Sequence, residues 1–195
     1  MTENRLDRRR ARTRAALLGA ARDLLVFRVP AEVSIQEITD AADVGFGSFY
    51  NHFESKQTLF EQAIAEVAAE HLALLSSAVA GLTDPAEVLS VAVRLTARFP
   101  ATHPSIAAVM DRAGFAYLQP LSSAALAFLR HAHDVGRLCF DDTEVAFACV
   151  GGAVLGTVRL GRSDQAADQT ALGVLRLFGL AEGDARRIVG RPLPG

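Results

Sequence analysis

Cysteine is scarce in this sequence: only Cys139 and Cys149 occur, without paired spacing. That excludes a disulfide framework and points to a reducing compartment, the cytoplasm. No charged segment followed by an apolar stretch resembles a secretion signal. Long apolar runs are missing as well. The longest, Val145 to Val158, falls short of the roughly 17–25 residues that span a bilayer, so it reads as a buried helix, with no membrane partner expected. There is no Gly-rich phosphate loop, no nucleophile elbow and no His-Glu-x-x-His pair, so the chain reads as something other than an enzyme, with no cofactor. His131 and His133 lie near Cys139, but residues i and i+2 on a helix point apart, and no metal site is expected. Strictly alternating β-branched runs are scarce too, which leaves an all-α fold as the expectation.

Half of the residues are hydrophobic (50%), enough for one or two compact domains and too many for a disordered chain. The formal net charge is -2, but it is unevenly spread. Residues 1–22 hold Arg5, Arg8, Arg9, Arg10, Arg12, Arg14 and Arg22 against only Glu3 and Asp7, so the remainder of the chain is acidic. A basic arm on an acidic body suits a protein that meets a polyanion at one end.

Helical periodicity runs from Arg8 to Val26, with Leu17, Ala20, Ala21, Leu24 and Leu25 on one face and Val29-Pro30 as the stop. Ser34 and Glu37 have the spacing of a capping box, which starts a short helix ending near Ala42. Asp43-Val44-Gly45 makes a tight turn into another short helix reaching about Asn51. A longer helix followed by two short ones across a Gly-containing turn is the layout of a helix-turn-helix. From Ser55 a long helix runs to about Ala80, with Ile64, Val67, Ala68, His71, Leu72 and Leu75 at helical spacing. Further helices are expected from Pro85 to about Phe99, over 104–116 and 120–136 with prolines at their first positions, over 143–160 behind a cap framed by Asp141 and Glu144, and over 165–179 and 182–189.

The stretch from Ser34 to Phe60 carries a specific spacing: Gly47, two residues, Tyr50, one residue, His52-Phe53, then Ser55-Lys56 before Leu59-Phe60. It resembles the DNA-binding domain of the TetR family of bacterial regulators. The resemblance implies a helix-turn-helix domain over residues 1–56 and a helical ligand-binding and dimerisation domain over 57–195. It implies a ligand-responsive repressor that binds a palindromic double-stranded DNA operator as a homodimer. The chain departs from the family pattern at Val33, where Thr is frequent, at Asp43 and Gly45 in the turn, and at Phe46, where a polar residue is common.

The residues of this segment suit the work. Phosphate contacts set register on a duplex and base-edge contacts set sequence. Tyr50 and His52 can donate to phosphate oxygens, and Lys56 stands in the first turn of a helix, where free N–H groups favour an anion. Gly45 and Gly47 leave the backbone bare for close approach. Ser48 and Asn51 can bond bases or phosphates, and Phe46 can meet a thymine methyl. Ser34 and Phe49 complete the expected DNA-binding set, although Phe49 suits either core or contact.

One reading helix discriminates weakly, so a two-fold partner is expected. Ala148, Gly152 and Gly156 place small residues on one face of the 143–160 helix, suited either to that partner or to tight packing within the subunit. An effector pocket is expected among the middle helices, with Leu95, Phe99, Met110, Phe115, Tyr117, Phe128 and Phe147 as candidate lining and His103, Tyr117 and His131 as polar handles. Such a lining predicts a largely apolar small-molecule effector. The residues alone leave room for another reading, a helical carrier or partner-binding module that does not bind DNA.

Overall fold

The computed structural model describes residues 5–161 and 164–194. Among them are α-helices and short 3-10 runs, with no strand: α1 (Arg5–Leu25), α2 (Ile35–Ala41), α3 (Lys56–Ala78), α4 (Pro85–Ala97), α5 (Phe99–Thr102), α6 (Pro104–Ala113), α7 (Ser122–Asp134), α8 (Thr143–Leu160), α9 (Asp164–Leu177) and α10 (Glu182–Val189). The all-α expectation holds. The chain divides into two compact units, Met1–Val67 and Ala68–Gly195. The division falls inside α3, beyond the expected border at 56/57, because the early turns of α3 bury Leu59, Phe60 and Ala63 and tie to α1 through Arg14 with Gln62 and Arg22 with Glu66.

In the N-terminal unit α1 packs on α2, and α2 packs on a 3-10 run over Phe46–Asn51. Their buried faces join Leu17, Ala21, Leu25, Ile38, Phe49, Phe53 and Leu59 into one core. The capping box at Ser34 is present in both directions: Glu37 N–H donates to Ser34 Oγ at 3.1 Å and Ser34 N–H donates to Glu37 Oε2 at 2.8 Å. These Ser34 hydrogen bonds, with Arg28 beside the carboxylate, pull the Glu37 pKa down to about 2. The turn after α2 is made by Asp43 at φ 52, a left-handed conformation that Asp tolerates better than most residues. Gly45 is extended, so its freedom is not used for the turn.

In the C-terminal unit the most extensive pairing is α4 on α9, with α8 packed against α4, α6, α7 and α9. Asp84 caps α4 by accepting from Ala86 N–H at 2.9 Å, and Arg137 donates to both its carboxylate oxygens at 2.7 and 2.9 Å. Across α4 and α9, buried Arg94 donates to Asp168 at 2.7 Å, and Arg98 pairs with Asp164 and Asp168. Two expectations need correction. Pro120 does not open a helix: Gly114 ends α6 at φ +56, and Gly114–Leu121 follows as a 3-10 run with Pro120 inside it, so α7 begins only at Ser122. The cap of α8 is Asp142, one residue later than expected, because its Oδ1 accepts from Glu144 and Val145 N–H groups at 2.8 and 2.9 Å. By length and composition α8 is apolar enough to cross a membrane; packing against four neighbouring helices buries Ala146, Val154 and Val158, while Val145 and Leu160 stay exposed.

Candidate nucleic-acid interface and effector cavity

The segment after the α2 turn is too short and too rich in glycine to hold α geometry, and it winds as a 3-10 run from Phe46 to Asn51. Ser48 N–H donates to Gly45 C=O at 2.8 Å and His52 N–H to Phe49 C=O at 3.0 Å. This tight winding sorts the side chains. Gly45, Phe46, Gly47, Tyr50 and Asn51 are exposed, Ser48 and His52 are half-buried, and Phe49 has no exposed surface. A β-carbon at Gly45 or Gly47 meets nothing within 4 Å, so the space before them is open. Phe46 and Tyr50 project outward with 47% and 57% exposure, their rings edge to face at 6.2 Å.

Phe49 is therefore corrected from contact to core. Its ring lies among Tyr50 and Phe53, at centroid distances of 5.3 and 6.0 Å. The Ser34 hydroxyl is engaged by Glu37, whose carboxylate already occupies the N-terminus of α2. Lys56 is held as well: its Nζ donates to the carbonyls of Val33 and Ala31, which fastens the start of α3 to the approach to α2 and leaves one N–H uncommitted. The N-cap of α3 is Ser55, whose Oγ accepts from Thr58 N–H at 3.0 Å.

The positive charge beside this segment comes from α1. Arg10 and Arg14, one turn apart, form a shallow groove with Asp7, Ala11 and His52. Arg10 donates to the Asn51 carbonyl at 3.4 Å, and the Arg14 guanidinium lies over the Phe53 ring at 5.1 Å. Burial, then the charges of Arg10 and Arg14, lower the His52 pKa below its ordinary 6.5. Two guanidiniums and an imidazole, set against the single carboxylate of Asp7, leave the groove net positive and suited to an anion such as a phosphate. Sequence reasoning registered the basic arm but assigned no role to Arg10 or Arg14. The signal was their i, i+4 spacing, which puts both on one helical face.

A cavity of about 270 Å³ lies in the C-terminal unit. Met110, Tyr117, Phe128 and Phe147 line it as expected; Leu95, Phe99 and Phe115 do not. Leu95 is half-buried away from the cavity, and Phe99 is buried with its ring edge to face against His71 at 4.9 Å and beside His103. Phe115 follows Gly114, whose positive φ turns the chain, and it is 65% exposed beside Gly152. Of the expected handles only Tyr117 reaches the cavity. His103 bonds Thr102 instead, and His131 is exposed on α7.

His71 and Thr96 line the cavity without having been singled out. A histidine within the apolar stripe of a helix was the available signal. Its Nε2 lies 2.9 Å from Thr96 Oγ1, and its Nδ1 lies 3.3 Å from the Tyr117 hydroxyl. Burial, then the charge of His103, lowers the His71 pKa to about 4. Gly151 completes the wall. A β-carbon there would collide with Leu118 Cδ1, so glycine lets α8 approach the run that carries Tyr117.

One face of α8 remains uncovered. Val145, Ala148, Cys149, Gly156 and Leu160 are exposed along it and Gly152 half so, with Gly173 and Leu177 exposed on α9. Among the described residues no cluster of His, Cys, Asp and Glu suits a metal.

Residues 84–191 match the family model of the tetracyclin repressor-like, C-terminal domain, and residues 17–63 match that of bacterial regulatory proteins, tetR family. No curated protein matches the chain. Among solved structures, RolR in complex with resorcinol is 28% identical, covers 96% of this chain and 98% of its own, and superposes with a TM-score of 0.72. FadR from Bacillus subtilis in complex with stearoyl-CoA is 16% identical over 86% of this chain and 99% of its own, TM-score 0.64. FadR from Bacillus halodurans is 16% identical over 90% and 97%, TM-score 0.62. The two FadR structures are similar in fold alone.

Proposed function

Because the chain belongs to the TetR family of bacterial regulatory proteins, whose members are transcription regulators and not enzymes, we propose that it is a ligand-responsive repressor that binds a palindromic DNA operator as a homodimer in the cytoplasm. The observation that carries the reading is the pairing of an exposed, glycine-bared segment with a cationic groove. Phe46, Ser48, Tyr50 and Asn51 face the major groove; Arg10, Arg14 and His52, with the remaining N–H of Lys56, hold flanking phosphates. The uncovered faces of α8 and α9, with Ala148, Gly152, Gly156 and Phe115, meet the two-fold partner. That pairing sets two half-sites about 34–36 Å apart, or a multiple of it.

The effector occupies the cavity; RolR, which is 28% identical, has been solved in complex with a small molecule, resorcinol. His71, Leu72 and Leu75 line it from α3, the same helix whose first residue is Lys56, so a ligand that shifts α3 alters the DNA-binding end. A coupling of about 1–3 kcal/mol changes operator affinity roughly 5–150-fold.

Selection of bound duplexes from a random pool tests the reading. The expected product is a palindrome whose affinity falls with salt at a log–log slope of about −0.9 per phosphate held. Indifference to every duplex at low salt overturns it and leaves a helical carrier. Gly156→Arg tests the dimer: no atom lies within 4 Å of a β-carbon there, so the protomer keeps its fold. Sedimentation should show a monomer with operator binding lost, whereas an unchanged dimer removes α8 from the interface.

A further inference from the structure

The cavity of the C-terminal unit is chemically lopsided. Among the described residues, no Asp, Glu, Lys or Arg stands in its wall. Apart from Ser76, its polar side chains are His71, Thr96 and Tyr117, and these are strung together as one hydrogen-bonded chain. The rest is aliphatic and aromatic, from Leu72 and Leu75 on α3 to Val154 on α8. At about 270 Å³ the cavity is just below the ~300–1,000 Å³ common for ligand sites.

Counting protons on the chain shows what it can offer. Neutral imidazole has one N–H, and the threonine and tyrosine hydroxyls have one O–H each. The two bonds inside the chain use two of these three protons. In one tautomer His71 Nδ1–H donates to Tyr117, Thr96 donates to Nε2, and the tyrosine proton points outward. In the other, Nε2–H donates to Thr96, Tyr117 donates to Nδ1, and the threonine proton points outward. Either way the chain is left with one unused donor at one end and an acceptor lone pair at the other, on side chains that are almost wholly buried in the wall. A hydroxyl, being donor and acceptor at once, fits either tautomer.

Charge is excluded by the same wall. Burial keeps His71 neutral near pH 7 and pushes the Tyr117 phenol up, with Glu70 adding to that shift. A carboxylate brought into the cavity would meet no cation in its wall and would feel Glu70 as a like charge, and burying an unpaired ion is prohibitive.

We infer that the effector is a neutral, compact, hydrocarbon-rich molecule with a single hydroxyl, read by the chain Thr96–His71–Tyr117. This rests on the regulatory reading only in taking the cavity as the effector site.

Calorimetric titration of the full-length protein, without DNA, tests it with para-propylphenol, propylbenzene, para-propylbenzoate and propylresorcinol. The phenol should bind about tenfold more tightly than the hydrocarbon, the worth of one hydrogen bond in a dry site. The benzoate should not bind, and the second hydroxyl of propylresorcinol, facing aliphatic wall, should weaken binding. Tyr117→Phe and Thr96→Val are near-isosteric, and their melting curves report whether the fold is kept. The phenol preference should collapse in whichever variant removes the hydroxyl that ends the chain at the ligand, with propylbenzene affinity unchanged. Tightest binding by the benzoate or the diol, equal binding of phenol and hydrocarbon, no binding by any of the four, or a preference that survives both variants overturns the inference. A phenol that binds as expected yet leaves operator affinity unchanged counts against the regulatory reading alone.

Discussion

The two units of this chain arrange their chemistry in opposite ways. The N-terminal unit places functional groups on the surface and keeps its interior largely apolar: Phe49 and Phe53 fill the core, buried Thr39 spends its hydroxyl on the Gln36 carbonyl, and Tyr50, Asn51 and Arg10 face solvent. The C-terminal unit turns its polar groups inward, burying His71 and Thr96 beside Tyr117. A surface that must meet a long polyanion needs charge and bare backbone, which water already solvates. A cavity that must select a small molecule needs few polar groups, fixed and dry, where each unpaired atom is expensive.

The sharpest break in this comparison comes from neighbouring residues of one segment. Phe49→Ala should destabilise the N-terminal unit by about 3–5 kcal/mol, because it empties a fully buried site. Tyr50→Ala, at an exposed position, should change stability by less than about 0.5 kcal/mol while weakening DNA binding. Denaturant unfolding of both variants, set beside operator titrations, separates the roles; equal losses of stability would erase the distinction.

Acid should single out the C-terminal unit. His71 titrates at about 4 when folded, against its ordinary 6.5, so between these values the unfolded chain binds more protons. Its contribution is complete above 6.5 and disappears as the pH falls toward 4, a loss of about 3 kcal/mol. His71→Gln, which cannot ionise, should flatten that part of the stability profile even though it also disturbs the hydrogen-bonded chain.

Removing charge from the exposed unit should act on DNA and leave the cavity alone. Arg10→Ala with Arg14→Ala should lower affinity about a hundredfold per half-site, and so about ten-thousandfold for the dimer, on every duplex alike, if each guanidinium makes one charge-assisted contact. The salt slope should fall by about 0.9 per phosphate lost, and effector binding measured by calorimetry should stay as it was. A change in sequence preference instead would move these arginines from phosphate to base contact.

The smallest effect concerns His52. In the free protein burial and the two arginines disfavour its charged form. A phosphate in the same groove favours it, so DNA binding takes up a proton. Operator affinity should rise by at most about tenfold per pH unit for each protomer as the pH drops below the ordinary imidazole value, with the slope absent in His52→Gln.

Much of the N-terminal unit was legible because its determinants are local. The capping box at Ser34 and Glu37, the proline stop and the Gly47–Tyr50–His52 spacing each act within a few residues. Legibility failed where a side chain's role depends on a distant partner. Lys56 read as a wholly free phosphate donor, whereas the carbonyls of Ala31 and Val33 take two of its three N–H groups. Phe49 was ambiguous until the surrounding core enclosed it. In the cavity Phe115 had the right chemistry and the wrong direction, because Gly114 turns the chain ahead of it.

Sequence by itself determined the helical class, the order of the helices and the family, since periodicity, caps and a fixed motif are written over short spans of chain. Only tertiary structure decided that His71, Thr96 and Tyr117 form one chain across 25 and 46 residues, and that Arg10 and Arg14 share a groove with His52. Helix packing brings those groups together, and the sequence separation between partners carries no trace of the distance between them in space.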